Sequence, residues 1–375
     1  MTTVYNWQIG REMEYPFAEA RPKKQFAMIM DTNKCIACQT CTVACKTTWT
    51  SGRGQEYMFW NNVETKPYGY YPLGWDVKIL DKLGIQDVGP GPYQGKTLFE
   101  AAPEGEKVLG YLPADLDYAH PNISEDDSTG SMTRGAFITM PHMQWMHYLP
   151  RICNHCTYPA CVGACPRQSA YKRPEDGIVL VDQMRCRGYR ECVRGCPYKK
   201  PFFNSITRTS EKCVGCYPAV ESGRQTQCTI TCIGKIRLQG FISTPDKANP
   251  DNPLDYLIHG LQLAKPLYPQ LGLEPNVYYI PPIHVPGTYL RQMFGAGAEQ
   301  ATALYRTAVD DKKLLGALLL FGATPMIIER FKVDGDTAYG YNEKGEELVR
   351  VPLREPVFMR VAFDETFKTH RSNIT

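Results

Sequence analysis

Fifteen cysteines in 375 residues fall into four tight runs, and their spacing is the feature of this chain most able to do chemistry. The runs are Cys35-x2-Cys38-x2-Cys41-x3-Cys45, Cys153-x2-Cys156-x4-Cys161-x3-Cys165-Pro166, Cys186-x2-Tyr189-x2-Cys192-x3-Cys196-Pro197 and Cys213-x2-Cys216-x11-Cys228-x3-Cys232. An odd number of cysteines cannot all pair within one chain, and such tight, repeated intervals are unlike a secreted disulfide framework. Thiolate–metal chemistry is the better reading. Tetrahedral zinc sites usually take two separated Cys-x2-Cys pairs, and three cysteines in one loop crowd a single ion. An iron–sulfur core is a larger target. Three thiolates at intervals of three wrap one cubane, each reaching a different iron, while the fourth points toward a neighbouring core.

The first run has the bacterial ferredoxin pattern, in which the fourth cysteine ligates the other cluster. A proline after the last cysteine of the second and third runs removes a backbone donor and turns the chain, completing that pattern. Tyr189 breaks it, standing where a cysteine is expected. A phenol with an unperturbed pKa of about 10 is a poor substitute for a thiolate, and its ring is expected to fill the corner of the fourth iron. The expected consequence is a three-iron cluster. The alternative is a four-iron cluster with Tyr189 or water on the fourth iron.

The swap of fourth cysteines needs partners. The second and third runs are sequence neighbours, like the halves of a two-cluster ferredoxin, which leaves the first to pair with the fourth. The expected [4Fe-4S] ligand sets are Cys35, Cys38, Cys41 with Cys232; Cys213, Cys216, Cys228 with Cys45; and Cys153, Cys156, Cys161 with Cys196. Cys186 and Cys192 with Cys165 are expected to hold a [3Fe-4S] cluster, so no cysteine is left over.

Arg185, Arg187, Arg190, Arg194, Lys199, Lys200, Lys212, Lys235 and Arg237 crowd the third and fourth runs. Thiolate-ligated clusters are anionic, so nearby cations favour the reduced form and raise the potential. A solvated basic face accounts for part of the set. His155, between Cys153 and Cys156, is read as a neighbour that supports the ligands or as a helix cap. The other histidines show no ligand spacing, and no catalytic residue is assigned.

These runs must be positioned by short elements in a loop-rich chain, in keeping with Gly 31 and Pro 29. The predicted fold class is α+β: two interleaved ferredoxin-like units, a long insertion and a C-terminal interface segment. Residues 1–30 are read as an N-terminal arm. Residues 31–50 with 205–240 form one unit carrying two four-iron clusters, and 151–204 form the other. Residues 51–150 are an insertion rich in aromatics near its start (Tyr57, Phe59, Trp60, Tyr68, Tyr70, Tyr71, Trp75), suited equally to core packing or to docking another subunit. Within 241–375, helices are predicted over 299–309 and 312–321, and strands over 347–351 and 357–361. With Lys+Arg 42 against Asp+Glu 39, the charge leaves no footprint for nucleic acid. No signal peptide is read at the start. The apolar stretch Leu314 to Ile328 is too short to span a bilayer and holds Pro325. The chain is expected to be soluble by itself and to meet a membrane only through a partner.

The four-run layout, with an aromatic at the second position of the third run, resembles the iron–sulfur (beta) subunits of molybdenum enzymes in the dimethyl sulfoxide reductase superfamily. The branch in question contains nitrate, selenate and perchlorate reductases, nitrite oxidoreductase, and ethylbenzene and dimethyl sulfide dehydrogenases. Formate dehydrogenase-type subunits normally keep cysteine where Tyr189 stands. The segments beginning Val4-Tyr-Asn-Trp, Gln55-Glu-Tyr-Met, Arg151-Ile-Cys-Asn, Tyr171-Lys-Arg-Pro, Tyr278-Tyr-Ile-Pro and Arg291-Gln-Met-Phe are most similar to nitrite oxidoreductase beta subunits. Cys45 stands where some of those carry aspartate, implying an ordinary all-cysteine cluster here.

The resemblance implies a heterotrimer in which this chain relays single electrons. An alpha subunit would carry molybdenum bis-guanine dinucleotide, one more cluster and the nitrite/nitrate chemistry; a gamma subunit would carry haem b. The Cys35/Cys232 cluster would lie nearest alpha and the three-iron cluster nearest gamma. The chain would be exported with alpha to the periplasm or an equivalent compartment such as the anammoxosome, the alternative being the cytoplasmic face of the membrane. The alternative alpha partner is a selenate or perchlorate reductase, or an ethylbenzene or dimethyl sulfide dehydrogenase.

Overall fold

The structure, a computed structural model, describes residues 2–17, 21–67, 74–115, 145–354 and 362–371. Its central strand is Gln25–Asp31, and after the first residue every position is buried. Such a continuous apolar run is what a strand covered on both faces requires. It pairs antiparallel with Arg237–Ile242 and parallel with Val277–Ile280, which in turn pairs antiparallel with Lys265–Pro266.

Side chains alternate across this sheet. Phe26, Met28 and Met30 face a core that also contains Cys41, Cys156, Cys196 and Cys228. Ala27 and Ile29 face a second core, built with Leu238, Tyr278, Ile280, Leu314, Ala317 and Phe331. The strand therefore separates two cores, the first of which joins the cysteine-bearing loops to C-terminal residues such as Leu267, Leu290 and Phe294. The expected boundary at residue 30 falls inside it, so the chain start and the segment after 241 both build the central sheet.

The cysteine-bearing side consists of short pieces. Helix Thr40–Trp49 packs on Gln227–Ile230, and Ala160–Gly163 packs on Glu191–Gly195. Two small hairpins, Ala170–Lys172 with Val179–Val181 and Phe202–Asn204 with Thr209–Glu211, link the runs.

The ends of the 51–150 segment close on each other, since Asn62–Lys66 pairs antiparallel with His147–Arg151. Trp60 and Trp75 are buried, whereas Tyr57 is 72% exposed. Tyr68, Tyr70 and Tyr71 lie outside the described residues. Helices run Ala298–Arg306 and Lys312–Leu319, each stopping short of its predicted end. A tighter turn, Ala308–Asp310, takes over after the first, and Asp311 caps the second by accepting from the amides of Lys313 and Leu314. Glu347–Pro352 is the edge of a three-stranded antiparallel sheet, while the strand expected over 357–361 lies outside the described residues. Among the described residues, no helix is long and apolar enough to cross a membrane.

Candidate metal centres

Three cavities are each lined by four cysteines drawn from two runs. One gathers Cys35, Cys38, Cys41 and Cys232. A second gathers Cys45, Cys213, Cys216 and Cys228, and the third Cys153, Cys156, Cys161 and Cys196. These are the swapped quartets expected from the spacing. Helix Thr40–Trp49 explains one swap: Cys41 on its first turn faces the first cavity, and Cys45, one turn on, lines the second. Among the described residues, no trio of His, Cys, Asp or Glu is placed to hold a single metal ion. The donor set suits a core several atoms across better than one zinc ion with Zn–S bonds of about 2.3 Å.

Cys165, Cys186 and Cys192 also come together, the first half-buried and the others buried, and Cys192 lies within electrostatic reach of both partners. The backbone around Tyr189 is curled like that around Cys38. In the first run Ala37 and Gln39 flank Cys38 with φ of 52° and 58°; in the third, Gly188 and Arg190 flank Tyr189 with 68° and 60°. The left-handed residues that curl the loop are thus retained. Tyr189 is 61% exposed, and Cys38 at the matching place is exposed as well. What the position lacks is the thiolate.

The chemistry of the thiols fits metal ligation. Burial, with neighbouring sulfurs adding to it, pushes Cys35 up to about 11 and Cys45, Cys156 and Cys161 well above the ordinary thiol range. Four crowded thiolates are unfavourable on their own, whereas a coordinating thiol is deprotonated outright by the cations it binds. Cys165 differs. Burial pushes its thiol up, but the Ser169 hydroxyl at 3.1 Å together with the amides of Ala170, Ser169 and Arg167 more than offset this, leaving it below the ordinary range.

The sets adjoin in series. Arg237 lies beside Cys41, Cys232 and Cys35 of the first and Cys228 of the second. Cys213 of the second feels Cys153 of the third, and Cys161 of the third feels Cys192 of the fourth.

A sequence profile of the 4Fe-4S dicluster domain matches residues 144–241, which hold the second, third and fourth runs. Selenate reductase subunit beta of Thauera selenatis is 41% identical over 308 residues, covering 75% of this chain and 90% of the relative. Dimethylsulfide dehydrogenase subunit beta of Rhodovulum sulfidophilum is 39% identical over 315 residues, covering 76% and 90%. Respiratory nitrate reductase subunit beta of Haloferax mediterranei is 39% identical over 308 residues, covering 74% and 84%. The chain belongs to the iron–sulfur beta subunits of the dimethyl sulfoxide reductase superfamily of molybdoenzymes.

Sequence reasoning about this beta subunit missed several contacts to sulfur. Trp49 Nε1 donates to Cys216 Sγ at 3.3 Å, Thr226 Oγ1 lies 3.4 Å from Cys228 Sγ, and the Ser210 amide donates to Cys186 Sγ at 3.4 Å. Only Trp49, four residues beyond Cys45, had a position that could have drawn notice. Of the nine basic residues singled out, Lys199, Lys200, Lys212 and Arg237 are buried, while Arg185, Arg187, Arg190 and Lys235 are exposed. His155 caps no helix. It sits fully buried at φ 42° and accepts from the Val179 amide through Nδ1 at 3.0 Å, pinning the second run to strand Val179–Val181.

Proposed function

We propose that this beta subunit carries three [4Fe-4S] clusters and one [3Fe-4S] cluster on the four cysteine sets above and relays single electrons through them. When bound, such clusters supply one-electron redox chemistry at potentials set by charge, hydrogen bonds and exposure. The chain's own residues hold and tune them. The observation that carries the reading is the three cavities, each closed by cysteines from two runs and set in series through Arg237 and the Cys213–Cys153 approach. The two interleaved ferredoxin-like units are supported by the packing of Thr40–Trp49 on Gln227–Ile230 and of Ala160–Gly163 on Glu191–Gly195.

The catalytic centre belongs to a molybdenum alpha subunit, and the nitrite/nitrate couple is the reaction we favour for it. A gamma subunit with haem b, or another carrier, takes the far end. Assembly with alpha in the periplasm or an equivalent extracytoplasmic compartment completes the proposal. The likeness to selenate reductase and dimethylsulfide dehydrogenase beta subunits favours a second reading, in which alpha acts on another oxyanion or on a sulfide.

Metal analysis of the purified complex, corrected for the iron of the alpha subunit and of any haem, tests the cofactor count. About fifteen irons per beta chain and essentially no zinc are expected, with a three-iron paramagnetic signal in the oxidised state. Stoichiometric zinc, or a silent oxidised protein, would overturn it. Assay of the same complex with nitrite, nitrate, selenate and dimethyl sulfide separates the two readings of alpha.

A further inference from the structure

Arg237 and Lys212 are 0% and 2% exposed, and among the described residues neither is ion-paired with a carboxylate. A buried cation is costly unless something anionic compensates it. Arg237 Nη2 donates to Cys41 Sγ and to Asn61 Oδ1, both at 3.2 Å, while its Nε and Nη1 are buried without a protein acceptor. The charge near it is sulfur: Arg237 lines the cavity of Cys35, Cys38, Cys41 and Cys232, and Cys228 and Cys45 of the second set are also within electrostatic reach. Lys212 Nζ donates to the carbonyls of Val179 and Cys213, and it lies beside Cys153 and Cys161 of the third set and Cys213 of the second.

We propose that Arg237 and Lys212 are junction cations, each raising the reduction potentials of the two clusters it stands between. The proposal rests on the ligand sets given above. Reduction makes a cluster more negative, so a fixed cation in low dielectric favours the reduced form, and here one cation reaches two clusters at once. Lys200 is also buried and lines the third cavity, where its ammonium donates to Asn62 Oδ1; the remaining basic residues are less suited. Arg185, Arg187, Arg190 and Lys235 are exposed, where solvent and salt screen them. Lys199 spreads its ammonium over the carbonyls of Tyr111, Val193 and Arg194. Arg237 and Lys212 share one neighbour, the Cys45/Cys213/Cys216/Cys228 cluster, which lies mid-series between them.

Potentiometric titration of the purified complex, followed by electron paramagnetic resonance, tests this in Arg237→Gln, Arg237→Lys and Lys212→Gln. Each glutamine variant is expected to lower two midpoint potentials, with a single potential common to both variants and the three-iron potential unmoved. Arg237→Lys is expected to stay near wild type, because the charge is kept. Potentials unmoved by the glutamine variants, lowered singly, or lowered alike in all four clusters would overturn the inference. Should Arg237→Gln lose iron, Lys212→Gln decides alone by the same criterion: a paired lowering supports the inference, and any other pattern rejects it. Wild-type iron content and spectra report separately on the ligand sets, so failure there is distinguishable from potentials that do not move.

Discussion

The indole Nε1–H of Trp49 donates to the Sγ of Cys216 at 3.3 Å, across 167 residues of sequence. Trp49 ends the helix that carries Cys41 and Cys45, and Cys216 starts the helix Tyr217–Glu221 from a left-handed φ of 47°. A donor to a ligating sulfur disperses its negative charge and favours the reduced state. Trp49→Phe keeps an aromatic ring but deletes the donor. The loss of about 0.5–1.5 kcal/mol for one hydrogen bond corresponds to roughly 20–60 mV for a one-electron couple. Titration should show one potential lowered by that much and the others unchanged; an unshifted set would mean that this contact does not tune the cluster.

Gly188 holds its loop where a side chain cannot go. A Cβ there would lie 2.6 Å from the carbonyl oxygen of Arg208 and 3.0 Å from the Phe203 ring, at a φ of 68° that already disfavours L residues. Ala37 tolerates the matching place in the first run, at φ 52°. Gly188→Ala should displace the hairpin turn from the third run and abolish the three-iron signal. The four-iron signals should persist, and iron should fall by about three per chain. Normal three-iron spectra in this variant would show that the loop yields without releasing its cluster.

How much of this was legible is clearest from particular residues. The quartets were, because a fourth cysteine one helical turn beyond three others is carried toward a second place, as Cys45 on Thr40–Trp49 is carried to the second cavity. Tyr189 was legible as a missing thiolate, but the exposure of its ring was not, since nothing in the spacing says which side of the loop faces solvent. The role of Gln25–Asp31 was hidden for a different reason. Its partners lie more than 200 residues away in Arg237–Ile242 and Val277–Ile280, and a short apolar run does not state what it pairs with. The buried cations were visible as basic residues only; which of them lose water is decided by packing.

Asp76 is buried against Lys66, whose Nζ lies 2.7 Å from it, and accepts from the Tyr268 hydroxyl at 2.8 Å. Burial pushes this carboxyl up, but Lys66, Tyr268 and the Val77 amide together hold it below its ordinary 3.8. A carboxyl with a depressed folded pKa contributes stability that is fully present above the unfolded value and lost as pH falls through the folded one. Asp76→Asn should therefore cost about 3 kcal/mol at neutral pH, in the range for breaking a buried pair. The deficit should begin to shrink below about pH 4, where the unfolded-state carboxyl protonates, and disappear as pH falls through the lower folded value. Thermal unfolding of both proteins from pH 7 downward checks it; a deficit that stays constant into acid would remove Asp76 ionisation as the cause.

Tyr189 and Cys38 stand three residues after the first cysteine of their runs, each between two left-handed residues, so the loop at Tyr189 is already shaped for a ligand. Tyr189→Cys should supply the missing thiolate and admit a fourth iron. The oxidised three-iron signal should vanish, a signal of the reduced four-iron type should replace it, and iron should rise from about fifteen to about sixteen per chain. Tyr189→Phe separates the two accounts of the native site. Without the phenol oxygen, a three-cysteine cluster keeps its wild-type spectrum, whereas a cluster ligated by that oxygen changes. With the ring 61% exposed, neither substitution opens a core cavity, so a change in spectrum can be read as a change in ligation rather than in folding.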